Sequence, residues 1–300
     1  MKEFIKDFYN LIFSVLLILF IFVVLKTFLV NNSGFYLKNN KIYQYNDFNI
    51  GIFGHSQSLG ALDEKLLSDN EYKLRFENFS ITGAPLFYTS DLINYTLSKN
   101  PKADIILEIG TNNVDERGAI RGFHDQNSYF HLNNFFYYSL FNDLFFFIEN
   151  KKEDVILFLF KSFFNNPLYN FTGFQGWNSS LEEAKKNFLR DSIRINKHVE
   201  KFSVDLEINK IDKLIKRNPE NQFYIIRLPE HNLYLKIFSN SERYKSVINR
   251  LKKNENVVFY DFVDFELPDN GYRDLYHLSK KGGITFTEYF KNFFLKNHEI

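Results

Sequence analysis

The chain has 300 residues, which is enough for one large domain or two small ones. Its 37 basic and 36 acidic residues nearly cancel, so the charge balance favours neither a nucleic-acid-binding protein nor a disordered acidic one. Cysteine is absent, which excludes disulfides, zinc–thiolate sites and a cysteine nucleophile. The 37 phenylalanines are compatible with an AT-rich genome and say little about function.

The first element is an apolar segment of eighteen residues, Phe8 to Leu25, interrupted only by Asn10 and Ser14. At 1.5 Å per residue, a helix of this length spans about the hydrocarbon core of a bilayer. A cleaved signal peptide is the alternative, but no small-x-small cleavage pattern follows. We therefore predict a membrane anchor over 1–30, a polar tether over 31–47, and a single-pass protein. Its domain is expected outside the cytoplasmic membrane, on the periplasmic or extracellular side.

The globular part is predicted to begin at Phe48 and to alternate strands with helices. Short apolar or alternating runs predict five strands, at 48–53, 72–79, 103–109, 222–229 and 257–262. Helical spacing of apolar residues predicts helices at 59–67, 91–98, 181–217 and 241–252, and a last helix that ends near Leu295. Strands that alternate with helices are typical of βαβ units, so we predict an α/β domain with a mainly parallel sheet.

The middle of the chain, about 118–180, breaks this alternation. Two stretches, 129–148 and 155–164, are dense in Phe, Tyr and Leu. The first contains several Asn and Asp residues, and the second is too short to span a bilayer. We predict a Phe-rich helical insertion that covers the sheet or the site. A lid that touches the bilayer or an acyl chain is the alternative.

Polar turns follow three of the predicted strands, at 54–56, 80–83 and 110–113, and a further one at 274–277 precedes the final helix. In a parallel sheet, the ends of the strands that precede helices lie on one edge, so residues distant in sequence meet there. This edge would collect a hydroxyl, a histidine, a carboxylate and an amide. These are the groups of a nucleophilic acyl-transfer site.

Each of these groups has a chemical role in such a site. Serine is a weak nucleophile unless a base accepts its proton, and His277 could accept it from Ser56 near neutral pH. Asp274 could bind the other ring nitrogen of His277 and fix its tautomer. The backbone N–H groups of Ser56 and Gly83, with the side-chain amide of Asn112, would stabilise an oxyanion. The alternatives are a helix cap for Ser56, a surface salt bridge for Asp274 and His277, and ordinary turn residues for Gly83 and Asn112.

In this order, the four turns resemble the signature blocks of the SGNH hydrolases, the GDSL-type esterase and acyltransferase superfamily. Gly54-His55-Ser56 resembles the Gly-Asp-Ser block, and 78–83 resembles the second block, which ends in an oxyanion-hole glycine. Gly110-Thr-Asn-Asn113 resembles the Gly-x-Asn-Asp block, and Asp274-x-x-His277 resembles the closing block. The match covers about 48–115 and 255–295.

The resemblance implies a three-layer α/β/α domain of the SGNH or flavodoxin-like type over 48–300. It also implies a catalytic triad of Ser56, Asp274 and His277, and an oxyanion hole formed by Ser56, Gly83 and Asn112. No cofactor and no metal are expected.

Two residues depart from the family pattern. His55 replaces the usual aspartate before the nucleophile, and Asn113 replaces the aspartate after the asparagine of the third block. Neither is a predicted proton carrier, so the chemistry can survive, but hydrogen bonding around Ser56 must differ. We expect His55 to be structural and held in the turn.

Four further side chains are weaker candidates for the site. His231 follows a predicted strand and could reach the site. His124 and Asp125 form a metal-like pair, but two ligands without a third are more often part of a solvated loop. Trp177 is expected to pack rather than to form a carbohydrate-binding platform.

Together, the sequence predicts an anchored serine esterase or O-acyltransferase that acts through an acyl-serine. Its expected substrates are acyl groups, acetyl above all, on a cell-envelope glycan or another ester. Its expected partners are the membrane and a membrane-bound O-acyltransferase, with no nucleic acid. The alternatives are a non-catalytic SGNH-fold partner of such an acyltransferase, supported by His55 and Asn113, and a lipid esterase.

Overall fold

The computed structural model describes residues 48–81, 86–111, 180–186, 205–238 and 242–297, together with positions 9–10, 12–14, 17, 176 and 178. The strands in this part are β1 (Ile50–Phe53), β2 (Phe76–Asn78), β3 (Asp104–Glu108), β4 (Phe223–Arg227) and β5 (Val257–Asp261). The helices are α1 (Ser56–Ala61), α2 (Glu64–Leu67), α3 (Leu86–Lys99), α4 (Asp205–Arg217), α5 (Asn232–Phe238), α6 (Glu242–Leu251) and α7 (Lys280–Asn297).

The five strands form one sheet in the order β2-β1-β3-β4-β5, and each neighbouring pair is parallel. This order is one of the two common doubly wound arrangements. The register places Ile52 of β1 opposite Asn78 of β2 and Ile106 of β3. The carboxyl ends of β1, β2 and β3 therefore lie side by side. The predicted α/β class and five-stranded parallel sheet are confirmed.

The three central strands, β1, β3 and β4, are buried on both faces almost throughout, as is usual in parallel sheets, whereas the edge strand β5 is partly exposed. On one face, Ile52, Ile106 and Ile226 belong to the same core cluster as a phenylalanine stripe on α7, formed by Phe286, Phe290 and Phe294. The four-residue spacing of these phenylalanines keeps them on one side of the helix. Helix α7 also packs against α1 and α2, whereas α3 packs against α4. On the other face, Phe53 stacks on Phe79 with a centroid distance of 5.4 Å.

Helix α3 begins at Leu86 rather than at the predicted Asp91, and three further elements differ from the sequence-based expectation. Strand β2 begins only at Phe76, because an antiparallel bridge between Asp69 and Leu74 and a left-handed Lys73, with φ of 53°, form a tight turn there. The predicted helix 59–67 is divided into α1 and α2, and Asp63 caps the second by accepting from the N–H of Lys65. Helix α5 is an element that the sequence pattern did not predict.

The chain divides into two compact units, one formed by 1–37 with 126–169 and the other by 38–125 with 170–300. All five strands belong to the second unit. Most of the predicted anchor and of the predicted insertion at about 118–180 lies outside the described residues. Among the helices that the structure does describe, none combines the length and apolarity needed to cross a membrane. The anchor, the tether and the domain boundaries stay predictions.

Candidate active site

The turn from β1 into α1 presents a single accessible side chain. Every residue from Ile50 to Leu62 is buried except Ser56, which is partly exposed. Ser56 is the first residue of α1, directly beyond the carboxyl end of a central strand. The first N–H groups of a helix have no partner inside the helix, and the Ser56 N–H has none among the described residues. The turn therefore offers both a hydroxyl and a backbone donor.

Ser56 does not cap this helix. The N-cap residue is His55, whose Nδ1 accepts a hydrogen bond from the Gln57 N–H at 3.1 Å. The alternative interpretation of Ser56 as a cap is therefore wrong, and His55 takes that role. The expectation that His55 is held in the turn is confirmed, since it is only 2% exposed.

Ser56, His277 and Asp274 lie in one hydrogen-bonded line. The Oγ of Ser56 is 2.6 Å from Nε2 of His277. The opposite ring nitrogen, Nδ1, is 2.8 Å from Oδ2 and 3.0 Å from Oδ1 of Asp274. A carboxylate beside Nδ1 holds the proton there, which leaves Nε2 free to accept the proton of the serine hydroxyl. This arrangement can carry out base-assisted nucleophilic attack.

The environment keeps the Asp274 carboxyl ionised. Burial alone would raise its pKa, but the hydrogen bond and charge of His277 oppose this, together with the N–H groups of Tyr276 and His277. The net result is a lowered pKa for Asp274. Those two N–H groups donate to Oδ1 at 3.1 and 2.9 Å. The same carboxylate thus fixes both the loop backbone and the imidazole ring.

Contacts from other segments hold the loop that carries Asp274 and His277. Tyr272 and Leu278 form an antiparallel bridge that closes it. The side-chain amide of Gln57, the neighbour of Ser56, donates to the Tyr276 carbonyl at 2.7 Å. At the end of β4, the His231 N–H donates to the Leu275 carbonyl at 3.0 Å. The distance between Ser56 and His277 is therefore set by links on both sides.

Gly83 and Asn112, the other predicted oxyanion donors, lie outside the described residues, as does Asn113. The segments that lead to them do reach the expected edge of the sheet. The Ile81 N–H donates to the Gly54 carbonyl at 3.1 Å. The Ile109 N–H donates to the Ile226 carbonyl at 3.0 Å. The oxyanion roles of Gly83 and Asn112 stay predictions.

Glu108 is a buried site residue that sequence reasoning missed. It is 0% exposed at the end of β3, and its Oε2 accepts from the His55 N–H at 3.0 Å and from the Ser58 hydroxyl at 3.1 Å. A signal was present, because a glutamate interrupts the apolar run 103–109 just before a glycine turn. A charge at a buried strand position requires a partner.

A second buried polar group lies at the end of β4. The Arg227 guanidinium contacts the Glu230 carboxylate at 2.7 Å, and Thr111 donates its hydroxyl to Glu230 at 3.5 Å. Burial raises the pKa of Glu230, although Arg227 opposes this. Thr111 directly precedes Asn112, so this pair anchors the start of the predicted oxyanion turn.

His231 contacts the loop before Asp274 rather than Ser56. Its Nδ1 accepts from the Leu233 N–H at 3.2 Å, and its Nε2 is 3.5 Å from Oδ1 of Asp269. Its ring meets Tyr272 edge to face at 5.1 Å. It therefore supports the loop, whereas His124, Asp125 and Trp177 lie outside the described residues. No group of His, Asp and Glu within the described ranges could hold a metal ion.

Comparison with known proteins adds little to what the geometry of the site shows. A protein-family model matches residues 180–299, less than half of the chain. No curated protein matches the sequence. A solved structure provisionally described as a platelet activating factor from Streptococcus pneumonia matches with a TM-score of 0.44 and 13% identity, over 91% of this chain and 98% of that one. At this TM-score and identity, the likeness does not assign a function to the chain.

Proposed function

We propose that this protein is a serine-dependent ester hydrolase or O-acyltransferase of the SGNH type. The observation that carries the proposal is the hydrogen-bonded line from Ser56 Oγ through the His277 ring to the Asp274 carboxylate, with contacts of 2.6 and 2.8 Å. The partial exposure of Ser56 within an otherwise buried turn supports it as well, because a nucleophile must be reachable by its substrate.

In the proposed reaction, Ser56 Oγ attacks the ester carbonyl while His277 Nε2 takes the hydroxyl proton. Asp274 stabilises the resulting imidazolium through Nδ1. The Ser56 N–H, with Gly83 and Asn112 as further proposed donors, stabilises the oxyanion, and the loss of one such donor costs about 10²–10³ in turnover. His277 then protonates the leaving alcohol, and an acyl-serine forms.

The second half of the reaction determines the class of enzyme. Water attacks the acyl-serine in a hydrolase, and a hydroxyl of an acceptor attacks it in a transferase. In both cases His277 removes the proton of the incoming group, so the same residues serve both outcomes. No step requires a cofactor or a metal in this scheme.

The proposed substrates are acyl groups, acetyl above all, on a cell-envelope glycan. This part of the proposal rests on the family resemblance and on the predicted anchor over 1–30, which would hold the domain outside the cytoplasmic membrane beside a membrane-bound O-acyltransferase. A reporter fused to the C-terminus tests the topology. Activity of a periplasmic-side reporter is expected, and activity of a cytoplasmic reporter alone would contradict it.

Hydrolysis of 4-nitrophenyl acetate by the full chain tests the reaction class. Wild-type protein should release 4-nitrophenol, and Ser56→Ala should reduce the rate to background. Ser98→Ala is the matched control, because Ser98 is an exposed serine on α3 whose hydroxyl donates to the Tyr95 carbonyl of the same helix. Equal rates for Ser56→Ala and wild type would remove the enzymatic proposal and favour a non-catalytic partner.

Chain length and acceptor then test the substrate class. We expect faster turnover of acetyl esters than of long-chain 4-nitrophenyl esters, and release of acetate from an O-acetylated glycan. Adding an unacetylated glycan separates transfer from hydrolysis, because transfer would move label from the donor to the glycan. A clear preference for long acyl chains would favour a lipid esterase instead.

A further inference from the structure

Glu108 is the least expected charged residue near Ser56. Its side chain is 0% exposed, yet no lysine or arginine contacts it within the described part of the chain. Other buried carboxylates have cationic partners, since Asp212 contacts Lys216 and Arg250. Burying a carboxylate without a cation is costly, so the hydrogen bonds that compensate it indicate what the residue does.

All the described hydrogen-bond donors to Glu108 belong to the turn that carries Ser56. Its Oε2 accepts from the backbone N–H of His55, on one side of Ser56, at 3.0 Å. The same oxygen accepts from the hydroxyl of Ser58, on the other side, at 3.1 Å. The residues on both sides of Ser56 in the chain therefore bind the same atom, Oε2 of Glu108 on β3.

The turn also packs closely against this oxygen. A Cβ on Gly54 would lie 2.6 Å from Oε2 of Glu108, so the turn passes directly over the carboxylate. The His55 ring lies against the same oxygen, with Nδ1 at 3.4 Å, while that nitrogen accepts from the Gln57 N–H at 3.1 Å. These contacts link the Glu108 carboxylate to His55, which caps α1, and through His55 to the first turn of that helix.

We propose that Glu108 is a positioning residue of the active site, which sets the place of the Ser56 hydroxyl by binding His55 and Ser58 through one carboxylate oxygen. This inference rests on the proposed function, because it concerns the reactivity of Ser56. It also explains how the turn is held although His55 stands where the SGNH pattern has aspartate. The hydrogen bonds of Glu108 go to His55 and Ser58, so it acts on the Ser56 hydroxyl through these two neighbours.

The test is the second-order rate constant for labelling of Ser56 by a fluorophosphonate in the full chain. Glu108→Leu should lower it by about 10²-fold, since misplacement of a reacting group by about 1 Å costs this much. Glu108→Gln should recover most of the rate, because the amide oxygen can accept both hydrogen bonds. With 4-nitrophenyl acetate, kcat should fall in parallel and KM should stay within about two-fold.

Asp212→Asn is the matched control. It removes the charge of another buried carboxylate, one that links α4 to Arg250 of α6, away from the Ser56 turn. It should lower thermal stability and leave the labelling rate of the folded protein unchanged. An equal loss of labelling in Asp212→Asn and Glu108→Leu would overturn the proposal, because it would show a general effect of stability.

Ser58→Ala decides the question if Glu108→Leu does not fold. It removes one of the two hydrogen bonds to Glu108 and should slow labelling of Ser56 about 3- to 10-fold, as expected for one hydrogen bond. Unchanged labelling in folded Glu108→Leu or in Ser58→Ala would overturn the proposal. Failure of wild-type Ser56 to label would instead refute the proposed function.

Discussion

The turn that carries Ser56 and the loop that carries Asp274 and His277 reach the same edge of the sheet by different means. The turn, residues 54–58, is short and buried apart from Ser56, and β3 holds it directly through Glu108. The loop, residues 269–279, is longer and partly exposed. Three distant segments donate hydrogen bonds to its carbonyl groups, from Gln57, Ser180 and His231.

The difference indicates how each region should respond to substitution. The position of the turn follows from the sheet, so changes there should alter the reactivity of Ser56 itself. The loop depends on contacts between segments far apart in sequence, so changes there should alter proton transfer or loop stability. Four substitutions test this contrast.

Asp274→Asn should have the largest effect. The amide cannot hold the proton on Nδ1 of His277, so the ring would present the wrong tautomer to Ser56, and kcat should fall on the order of 10⁴-fold. Steady-state hydrolysis of 4-nitrophenyl acetate measures this. Asp264→Asn is the control, since Asp264 is an exposed carboxylate close in sequence. Retention of wild-type kcat in Asp274→Asn would exclude the proposed role.

Gly54→Ala should damage the turn. The new Cβ would collide with the Ser58 hydroxyl and lie 2.6 Å from Oε2 of Glu108, both of which are buried. Overpacking of this kind costs roughly 1–3 kcal/mol of unfolding free energy. We also expect slower fluorophosphonate labelling of the folded protein. Normal stability with normal labelling would show that the turn is more adaptable than its packing indicates.

Gln57→Leu should have an intermediate effect, because it removes the donor to the Tyr276 carbonyl and keeps the backbone bond to His55. The loss of one hydrogen bond that aligns His277 should lower kcat about 3- to 10-fold without changing KM. Gln222→Leu is the matched control, since the buried Nε2 of Gln222 has no partner in the described part of the chain. Equal kcat values for the two variants would argue against a link between turn and loop.

His231→Gln should have the smallest effect, on the pH dependence of stability. Burial lowers the pKa of His231 below 6.5, although Asp269 opposes this. Between the lowered pKa and 6.5, the unfolded chain binds more protons, so the wild-type unfolding free energy should decrease as the pH falls through this window. Urea unfolding at several pH values should give a smaller decrease for His231→Gln. Identical pH dependence in both proteins would contradict this account of the loop.

The features that were predictable from sequence depend on local patterns. Apolar runs ended by polar turns identified all five strands and placed Ser56, Asp274 and His277 on one edge. The parallel sheet follows from the alternation of strands and helices. The approach of His277 to Ser56, although they are 221 positions apart, then follows from the topology.

The features that were missed depend on contacts between segments or on single backbone conformations. The alternating pattern 72–79 suggested a long strand, but the left-handed Lys73 makes a turn of its first half. The burial of Glu108 against the His55 N–H requires β1 and β3 to be adjacent. The capping role of His55 depends on the extended backbone conformation of that one residue. The sequence contains His55 and Glu108, but it does not show that the two residues lie within hydrogen-bonding distance of each other.

The central claim is that Ser56 is the nucleophile. The most direct test is the mass of the intact protein after reaction with a fluorophosphonate, followed by location of the adduct by peptide mapping. We expect one adduct, on Ser56, which is absent in Ser56→Ala and is formed more slowly in Asp274→Asn. An unlabelled wild-type protein, or equal labelling of Ser56→Ala, would contradict the account.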